Sequence, residues 1–179
     1  GAGYPYGNSR QLPFVKQFFV GGPSSIRSFP VRSIGPGTYV PPDTLQNSLF
    51  VDQAGDIKLE MNAELRFDMF SFLKGAVFVD AGNIWLLRDD PDRPGASFEF
   101  GDVLNELAVG TGAGLRIDIS YIVLRFDLAF PLRKVLAPTG EVLEPGERKY
   151  EWTFGKLDFF SNKWRRDNLI LNIAIGYPF

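Results

Sequence analysis

Residues 57–69 alternate apolar and polar side chains without interruption. Every odd position in this segment is apolar, and every even position is polar or charged. A strict period of two predicts a β-strand with one apolar face and one polar face. The segment is longer than the ~5–6 residues usual in globular proteins, and it exceeds the ~9–11 tilted residues that a membrane-crossing strand requires.

The same alternation recurs further along the chain. Residues 107–120, 122–130 and 168–179 each place apolar side chains on one face and small or polar ones on the other. A further segment, 74–86, is more apolar on both faces but contains Asp80. These patterns predict an all-β fold of about five or six antiparallel strands, with residues 1–6 as the end of an additional strand.

Composition excludes several classes of function for this stretch. The formal net charge of −2 and the lack of a basic stripe give no reason to expect nucleic acid as a partner. With no Cys and no His, the chain has no disulfides, no Cys/His zinc site and no Ser-His-Asp or Cys-His group. We therefore expect no catalytic residues, no metal site and no cofactor. No run of ~18 apolar residues predicts a transmembrane helix.

The connections between the predicted strands fall into two length classes. Short turns lie at 70–73 and 120–121, whereas long links span 7–55, 87–104 and 133–166. Short turns at one end of a sheet and long loops at the other are typical of outer-membrane barrels, although a soluble sandwich is an alternative. Five or six strands cannot close a barrel, because the smallest have ~8, so we expect upstream strands outside residues 1–179.

The first long link contains the most specific sequence motif. Residues 19–29 read Phe-Val-Gly-Gly-Pro-Ser-Ser-Ile-Arg-Ser-Phe. This run resembles the sixth-loop signature of the BamA/TamA superfamily of outer-membrane assembly proteins. In that signature two glycines precede a hydrophobic-Arg-Gly-aromatic tetrad, and here Ser28 replaces the glycine of the tetrad. Further segments resemble the strands that follow in the family: 62–67, 77–85, 112–116, 125–129 and 176–179.

The resemblance implies an architecture and a location. It identifies residues 1–179 as the C-terminal part of a sixteen-stranded transmembrane β-barrel in the bacterial outer membrane. Residues 7–55 would then fold into the barrel lumen as a long loop, and 56–179 would supply five strands with outer loops at 87–104 and 133–166. Periplasmic domains would lie upstream. The sequence of residues 25–37 suggests a Bacteroidetes-type member.

The resemblance also gives a role to Arg27. A loop that carries an arginine into the lumen needs carboxylate partners there, because an unpaired buried charge is strongly unfavourable. We predict that Arg27 pairs with Glu64 and Asp80 and latches the loop, with Ile26 and Phe29 packing beside it. The alternative places Arg27 in solvent at a loop tip. The remaining predicted lumen charges are expected to pair across neighbouring strands: Arg66, Arg116, Asp118, Arg125 and Asp127.

The last predicted strand ends in Gly176-Tyr177-Pro178-Phe179. This ending resembles the C-terminal signal of the family. Proline lacks an amide hydrogen and glycine weakens a strand, so pairing at this edge is expected to be poor. A poorly paired seam can open, and its exposed edge can template an incoming strand. The alternative is that Pro178 only ends the strand at the periplasmic rim.

Two other motifs have simpler explanations. The glycines of Gly110-x-Gly112-x-Gly114 lie on one face of a strand with no following helix, so a nucleotide-binding loop is not expected. Small residues that leave room for the loop explain them better. Asp89, Asp90 and Asp92 suggest an acidic surface loop, since the glycine and glutamate of a calcium-binding loop are missing.

The resemblance to the BamA/TamA superfamily implies a factor that inserts and folds outer-membrane β-barrel proteins by lateral seam opening and strand templating. The expected partners are unfolded outer-membrane clients, outer-membrane lipids and lipopolysaccharide, and accessory lipoproteins or surface subunits. Three alternatives stay open: a polypeptide-translocating pore of two-partner secretion, the barrel of a patatin-like lipase fusion, and a passive porin. The lipase would be the one enzyme among them, with its catalytic dyad upstream.

Overall fold

The computed structural model describes residues 1–5, 12–40, 53–119, 121–135, 150–153, 155 and 157–176. Within these residues no helix is long and apolar enough to span a membrane. The described residues form six strands, one short α-helix and a 3₁₀ turn at Phe14–Lys16. In chain order they are β1 (Ile57–Phe70), β2 (Leu73–Trp85), β3 (Ala108–Ile119), β4 (Ile122–Val135), β5 (Tyr150–Trp152), α1 (Asn162–Asn168) and β6 (Ile170–Gly176).

The strands form one antiparallel sheet in the order β1-β2-β3-β4. Tight turns join β1 to β2 and β3 to β4, as expected where a hairpin pairs sequential strands. The sheet curls as part of a barrel wall, so the prediction of an all-β partial barrel is confirmed. The long links lie at the opposite end of the sheet from these turns, and that end is called the outer end below, because short turns are periplasmic in outer-membrane barrels.

Two strands share the free edge of β4. The lower part of β4, at 123–129, pairs with β6, whereas its upper part, at 133–135, pairs with β5. At the opposite side of the sheet, Ala2 forms an antiparallel bridge with Ile57. Backbone hydrogen bonds of 2.8 Å from Gly3 to Asp56 and from Lys58 to Gly1 extend this contact. The first residues therefore lie along the edge of β1.

The two faces of the sheet differ in side-chain character. On the outer, convex face, apolar side chains are exposed, among them Leu65, Phe67, Val77, Val79, Leu128, Leu171, Ile173 and Ile175. On the inner face, polar side chains are buried, among them Asp80, Arg116, Asp127 and Asn172. An apolar outer face suits contact with lipid.

The described hydrophobic core lies on the inner face, between the sheet and the long loop. Val20, Ile26 and Ile34 of the loop are buried against Ile84 of β2 and Ala108 of β3. Tyr150 of β5 joins this core from the outer end, and the half-buried Phe18 and Phe29 pack at its margin. The loop thus fills the space that a lumen would otherwise leave open.

Two elements lie within the segment predicted as a long outer loop at 133–166. The short strand β5 covers the upper edge of β4, and α1 lies immediately before β6. Helix α1 begins after Ser161, whose hydroxyl accepts a hydrogen bond from the Trp164 amide, as an N-cap does. These elements place aromatic and basic side chains at the outer end of the sheet.

Candidate functional site

The loop reaches the lumen wall through a tight double-glycine turn. Gly21 and Gly22 have φ angles of 108° and 101°, which L-residues rarely adopt. A Cβ on Gly21 would lie 2.3 Å from the Pro30 carbonyl oxygen. The Gly22 amide donates hydrogen bonds to the carbonyls of Ile26, at 3.2 Å, and Phe29, at 3.0 Å. This compact turn presents Arg27, which follows Ile26 in the chain, to the inner face of the sheet.

Arg27 and Asp80 form the centre of the site. The Arg27 side chain donates from Nε to Asp80 Oδ2 and from Nη2 to Asp80 Oδ1, both at 2.8 Å. Its backbone amide donates to the same carboxylate at 3.1 Å. Arg27 is 5% exposed and Asp80 is 0% exposed. A bidentate pair with a third hydrogen bond compensates for the loss of hydration on burial.

Glu64 of β1 forms a second ion pair with Arg27. Arg27 Nη1 donates to Glu64 Oε2 at 2.5 Å, and the guanidinium carbon lies 3.4 Å from the centre of the Phe78 ring. Burial lowers the pKa of Arg27, but hydrogen bonds and charge attraction from Asp80 and Glu64 outweigh it and leave that pKa above its ordinary value. The guanidinium is therefore held as a cation between two strands.

A second set of charges lies below this group. Glu64 also accepts hydrogen bonds from Arg116 Nη2, at 3.1 Å, and from Arg66 Nε, at 2.7 Å. Arg116 donates in turn to the fully buried Asp127. Asp127 Oδ2 lies 3.0 Å from Arg125 Nε, although the two groups are not oriented for a hydrogen bond. One network of alternating charges thus joins β1, β3 and β4 beneath the loop.

Two polar contacts connect the loop to the last strands. Asn172 of β6 donates from its side-chain amide to the Arg27 carbonyl oxygen at 2.8 Å. Arg125 of β4 donates to the Pro23 carbonyl oxygen, also at 2.8 Å. On the other side of the loop, Asn62 of β1 donates to the Ser25 carbonyl at 2.8 Å and to Asp80 at 3.0 Å. The loop is hydrogen-bonded to strands on both sides.

Glycines on β3 make space for this arrangement. A Cβ on Gly110 would lie 1.5 Å from the hydroxyl oxygen of Ser28. A Cβ on Gly112 would lie 2.6 Å from the Phe78 ring, and one on Gly114 would lie 2.2 Å from Asp127. Each glycine therefore accommodates a loop or lumen side chain, as their common face predicted.

The structure brings together most of the residues singled out from the sequence. Arg27, Glu64 and Asp80 are in contact, and Ile26 is fully buried beside them. Asp118 lies apart from the charge network and lines a cavity of about 370 Å³ with several cations, which are Arg66, Lys74, Arg116 and Arg125. Gly176 ends β6, whereas Tyr177, Pro178 and Phe179 lie outside the described residues.

Sequence reasoning did not select Asn62 or Asn172 as site residues. Both occupy lumen-facing positions in the period-two pattern, at the height of Asp80 and Asp127. The alternation of side chains along each strand predicts that both face the lumen. It does not show which polar side chains reach the loop.

The described residues of the acidic outer loop do not form a group that could bind a metal ion. Among the residues that the structure describes, no group of three or more His, Cys, Asp or Glu side chains could hold a metal ion. Asp90 instead accepts a 2.8 Å hydrogen bond from Arg93, which lowers the pKa of Asp90. Near the start of β3, burial raises the pKa of Glu106, although a hydrogen bond from the Trp85 indole opposes the shift.

Comparison with known proteins identifies the family. The family model of the Omp85 superfamily domain matches residues 1–156. The chain belongs to the Omp85 superfamily. This membership places the protein in the bacterial outer membrane, within a family of outer-membrane assembly and secretion proteins. The resemblance to BamA/TamA proteins is confirmed at this level, and the Bacteroidetes-type assignment stays a prediction.

One similar relative of this Omp85 chain is the outer membrane protein assembly factor BamA of Neisseria meningitidis serogroup B (strain ATCC BAA-335 / MC58). The two are 24% identical over 147 residues, which cover 72% of this chain and 18% of the relative. The chain therefore spans less than a fifth of the length of that relative. No solved structure matches the chain.

Proposed function

We propose that this Omp85 chain supplies the closing strands of a factor that inserts and folds other β-barrel proteins in the outer membrane. The main support is the latched loop. Arg27 makes three hydrogen bonds to Asp80 and one to Glu64, and the apolar part of the loop fills the inner face of the sheet. A filled lumen argues against a passive porin. The name of the Neisseria relative, an assembly factor, supports the same function.

The proposed mechanism uses strand edges and no covalent chemistry. Strand β6 pairs with β4, and its other edge pairs with no described strand. The likeness of residues 176–179 to the C-terminal signal of the family supports β6 as the closing strand, and in that arrangement the seam would lie along this edge. When the seam parts, the exposed backbone donors and acceptors can template a strand of an incoming client. The partners would be unfolded clients, membrane lipids and accessory lipoproteins or surface subunits.

A two-partner secretion pore is the main competing function. Its substrate passes through the lumen, so the loop would have to leave. The number of hydrogen bonds that hold Arg27 favours a loop that stays in place. Breaking them would leave the fully buried charge of Asp80 without its cation. A lipase fusion would instead require a Gly-x-Ser-x-Gly motif upstream of these residues, which sequencing of the parent gene would reveal.

The test uses the full-length protein in cells depleted of the wild type. We expect Arg27→Ala and Glu64→Gln each to lower the outer-membrane levels of other β-barrel proteins, with a larger loss for Arg27→Ala. Glutamine can still accept a hydrogen bond from Arg27, whereas alanine leaves the fully buried Asp80 without its cation. Heat-modifiable gel mobility would show whether each variant barrel is folded. Arg88→Ala, in an exposed outer loop, is the matched control.

Two outcomes would contradict the proposal. Normal client levels in cells that carry either folded latch variant would exclude a latched assembly factor. A change in channel conductance with unchanged client levels would favour the secretion pore.

A further inference from the structure

Helix α1 and the residues before it combine aromatic and basic side chains beside the outer end of β4 and β6. Phe130 of β4, Phe159 and Trp164 form an aromatic cluster. Their ring centres lie 5.2 Å apart for Phe130–Phe159, 4.8 Å for Phe159–Trp164 and 6.1 Å for Phe130–Trp164, all edge to face. Phe160, next to the cluster, is 95% exposed. Phe159 is also exposed, whereas Phe130 and Trp164 are half-buried. The exposed apolar surface of Phe159 and Phe160 is unfavourable in water and favours an apolar environment.

The position of the cluster identifies that environment as lipid. Phe130 follows Leu128 on the outward face of β4, and Leu128 lies opposite Leu171 of β6. Leu171 and the next outward residue of β6, Ile173, are both 61% exposed. The aromatic cluster therefore caps a continuous apolar stripe, at the height where barrels carry their outer aromatic girdle.

Helix α1, which supplies Trp164 to the aromatic cluster, also carries three cations. Lys163, Arg165 and Arg166 of α1 are all exposed. The Arg165 side chain donates to Asn162, whereas the side chains of Lys163 and Arg166 make no hydrogen bond or ion pair within the described part of the chain. Helical spacing of 100° per residue puts Lys163 and Arg165 on either side of Trp164, with Arg166 nearly opposite. The helix thus has two cations beside the Trp164 ring and a third on its opposite side.

The other outer loop is acidic, in contrast to α1. Between β2 and β3, Arg88 and Arg93 are outnumbered by acids, which are Asp89, Asp90, Asp92, Glu99, Asp102 and Glu106. On α1 only Asp167 opposes the three cations. The excess of positive charge is thus local to α1, beside the aromatic cluster.

We propose that α1 binds the phosphorylated headgroup of an outer-leaflet lipid. Trp164, Phe159 and Phe160 would lie at the boundary between headgroups and acyl chains, and Lys163, Arg165 and Arg166 would contact the phosphate. Arginine and lysine bind phosphate through charge-assisted hydrogen bonds, and short amphipathic helices with this composition lie in membrane interfaces. The site requires only the outer-membrane location, so it holds whichever activity the complete protein has.

The test uses the full-length protein in phosphatidylcholine nanodiscs that contain lipid A, with native mass spectrometry of the retained lipid. We expect Arg166→Glu and Lys163→Glu each to lower lipid A retention at least about fivefold, because each cation near an anionic lipid surface contributes substantially to binding. Arg88→Glu makes the same charge change at an exposed outer position and should leave retention unchanged. Heat-modifiable mobility would confirm that each variant is folded.

Three further arms identify the ligand chemistry. Dephosphorylated lipid A should be retained weakly by the wild type and equally weakly by Arg166→Glu. Phe160→Ser should lower retention of both lipid forms, because it removes an apolar contact and no charge. Inorganic phosphate should not displace the lipid. Equal retention by Arg166→Glu and Arg88→Glu, wild-type retention of the dephosphorylated lipid, or displacement by inorganic phosphate would each overturn the proposal.

Discussion

Val79 and Asp80 are neighbours on β2 and lie in opposite environments. Val79 points outward and is 46% exposed, whereas Asp80 points into the lumen and is 0% exposed. In a soluble protein the exposures would be reversed. The contrast shows that each face of this sheet depends on a different partner: the outer face needs lipid, and the inner face needs the charges and backbone of the loop.

Asp80→Asn should give the largest effect, because it removes the fully buried charge that binds Arg27. The side chain keeps its size, but Arg27 loses its bidentate carboxylate partner. Breaking such a buried pair costs about 3–5 kcal/mol, and we expect the free energy of unfolding in detergent to fall by that order. Glu64→Gln should cost less, since Glu64 is only partly buried and shared among three arginines. A larger loss for Glu64→Gln would contradict this ranking.

Val79→Arg tests the outer face one residue away. A cation near the middle of the lipid-facing band costs about 2–4 kcal/mol in barrels. We expect reduced unfolding free energy in lipid vesicles and a smaller loss in detergent, because detergent solvates the charge more readily. Val79→Ile is the control for side-chain size. If Val79→Arg were as stable as this control in vesicles, that part of the sheet would not face lipid.

Gly110→Ala should have an intermediate effect through close packing. The added Cβ would overlap the hydroxyl of Ser28, and overpacking of this kind typically costs about 1–3 kcal/mol. Ser28→Gly removes the obstructing side chain and should restore most of the stability in the double variant. A double-mutant cycle of unfolding free energies would measure the coupling between the two sites. Additive effects would show that the loop does not pack against Gly110.

Ser28→Ala should have the smallest effect. The Ser28 hydroxyl is buried and has no hydrogen-bond partner among the described residues. Removing an unsatisfied polar group is neutral or stabilising by up to about 1 kcal/mol. A clear loss of unfolding free energy would reveal a bonding role for this hydroxyl. Circular dichroism during urea unfolding would provide the measurement.

The long strands and part of the lumen group are predictable from the sequence. The period of two determines which side chains of β1 face inward, so the pattern alone assigns Glu64 and Arg66 to the lumen. The association of Arg27 with two carboxylates follows from the family resemblance together with the unfavourable energy of an unpaired buried charge. Neither the period-two pattern nor the family resemblance indicates that Glu64 also binds Arg116. That contact depends on strand register across β2 and β3.

The outer elements are harder to predict. The strand β5 has only three residues, too few for a periodic signal to be recognised. Helix α1 has seven residues, four of them charged, and helices this short depend on tertiary contacts more than on intrinsic propensity. The aromatic contacts of Trp164 with Phe130 and Phe159 provide such contacts, and they join residues from separate elements.

The bond between Asn172 and the Arg27 carbonyl has a thermodynamic consequence for the last strand. If β6 moved away, that buried carbonyl would lose its partner, and the loop would become less stable. Linkage makes the relation reciprocal: a loop that is tightly docked must resist movement of β6 by the same free energy. Loop docking and the position of the last strand are therefore coupled equilibria, and a molecule that shifts one must shift the other.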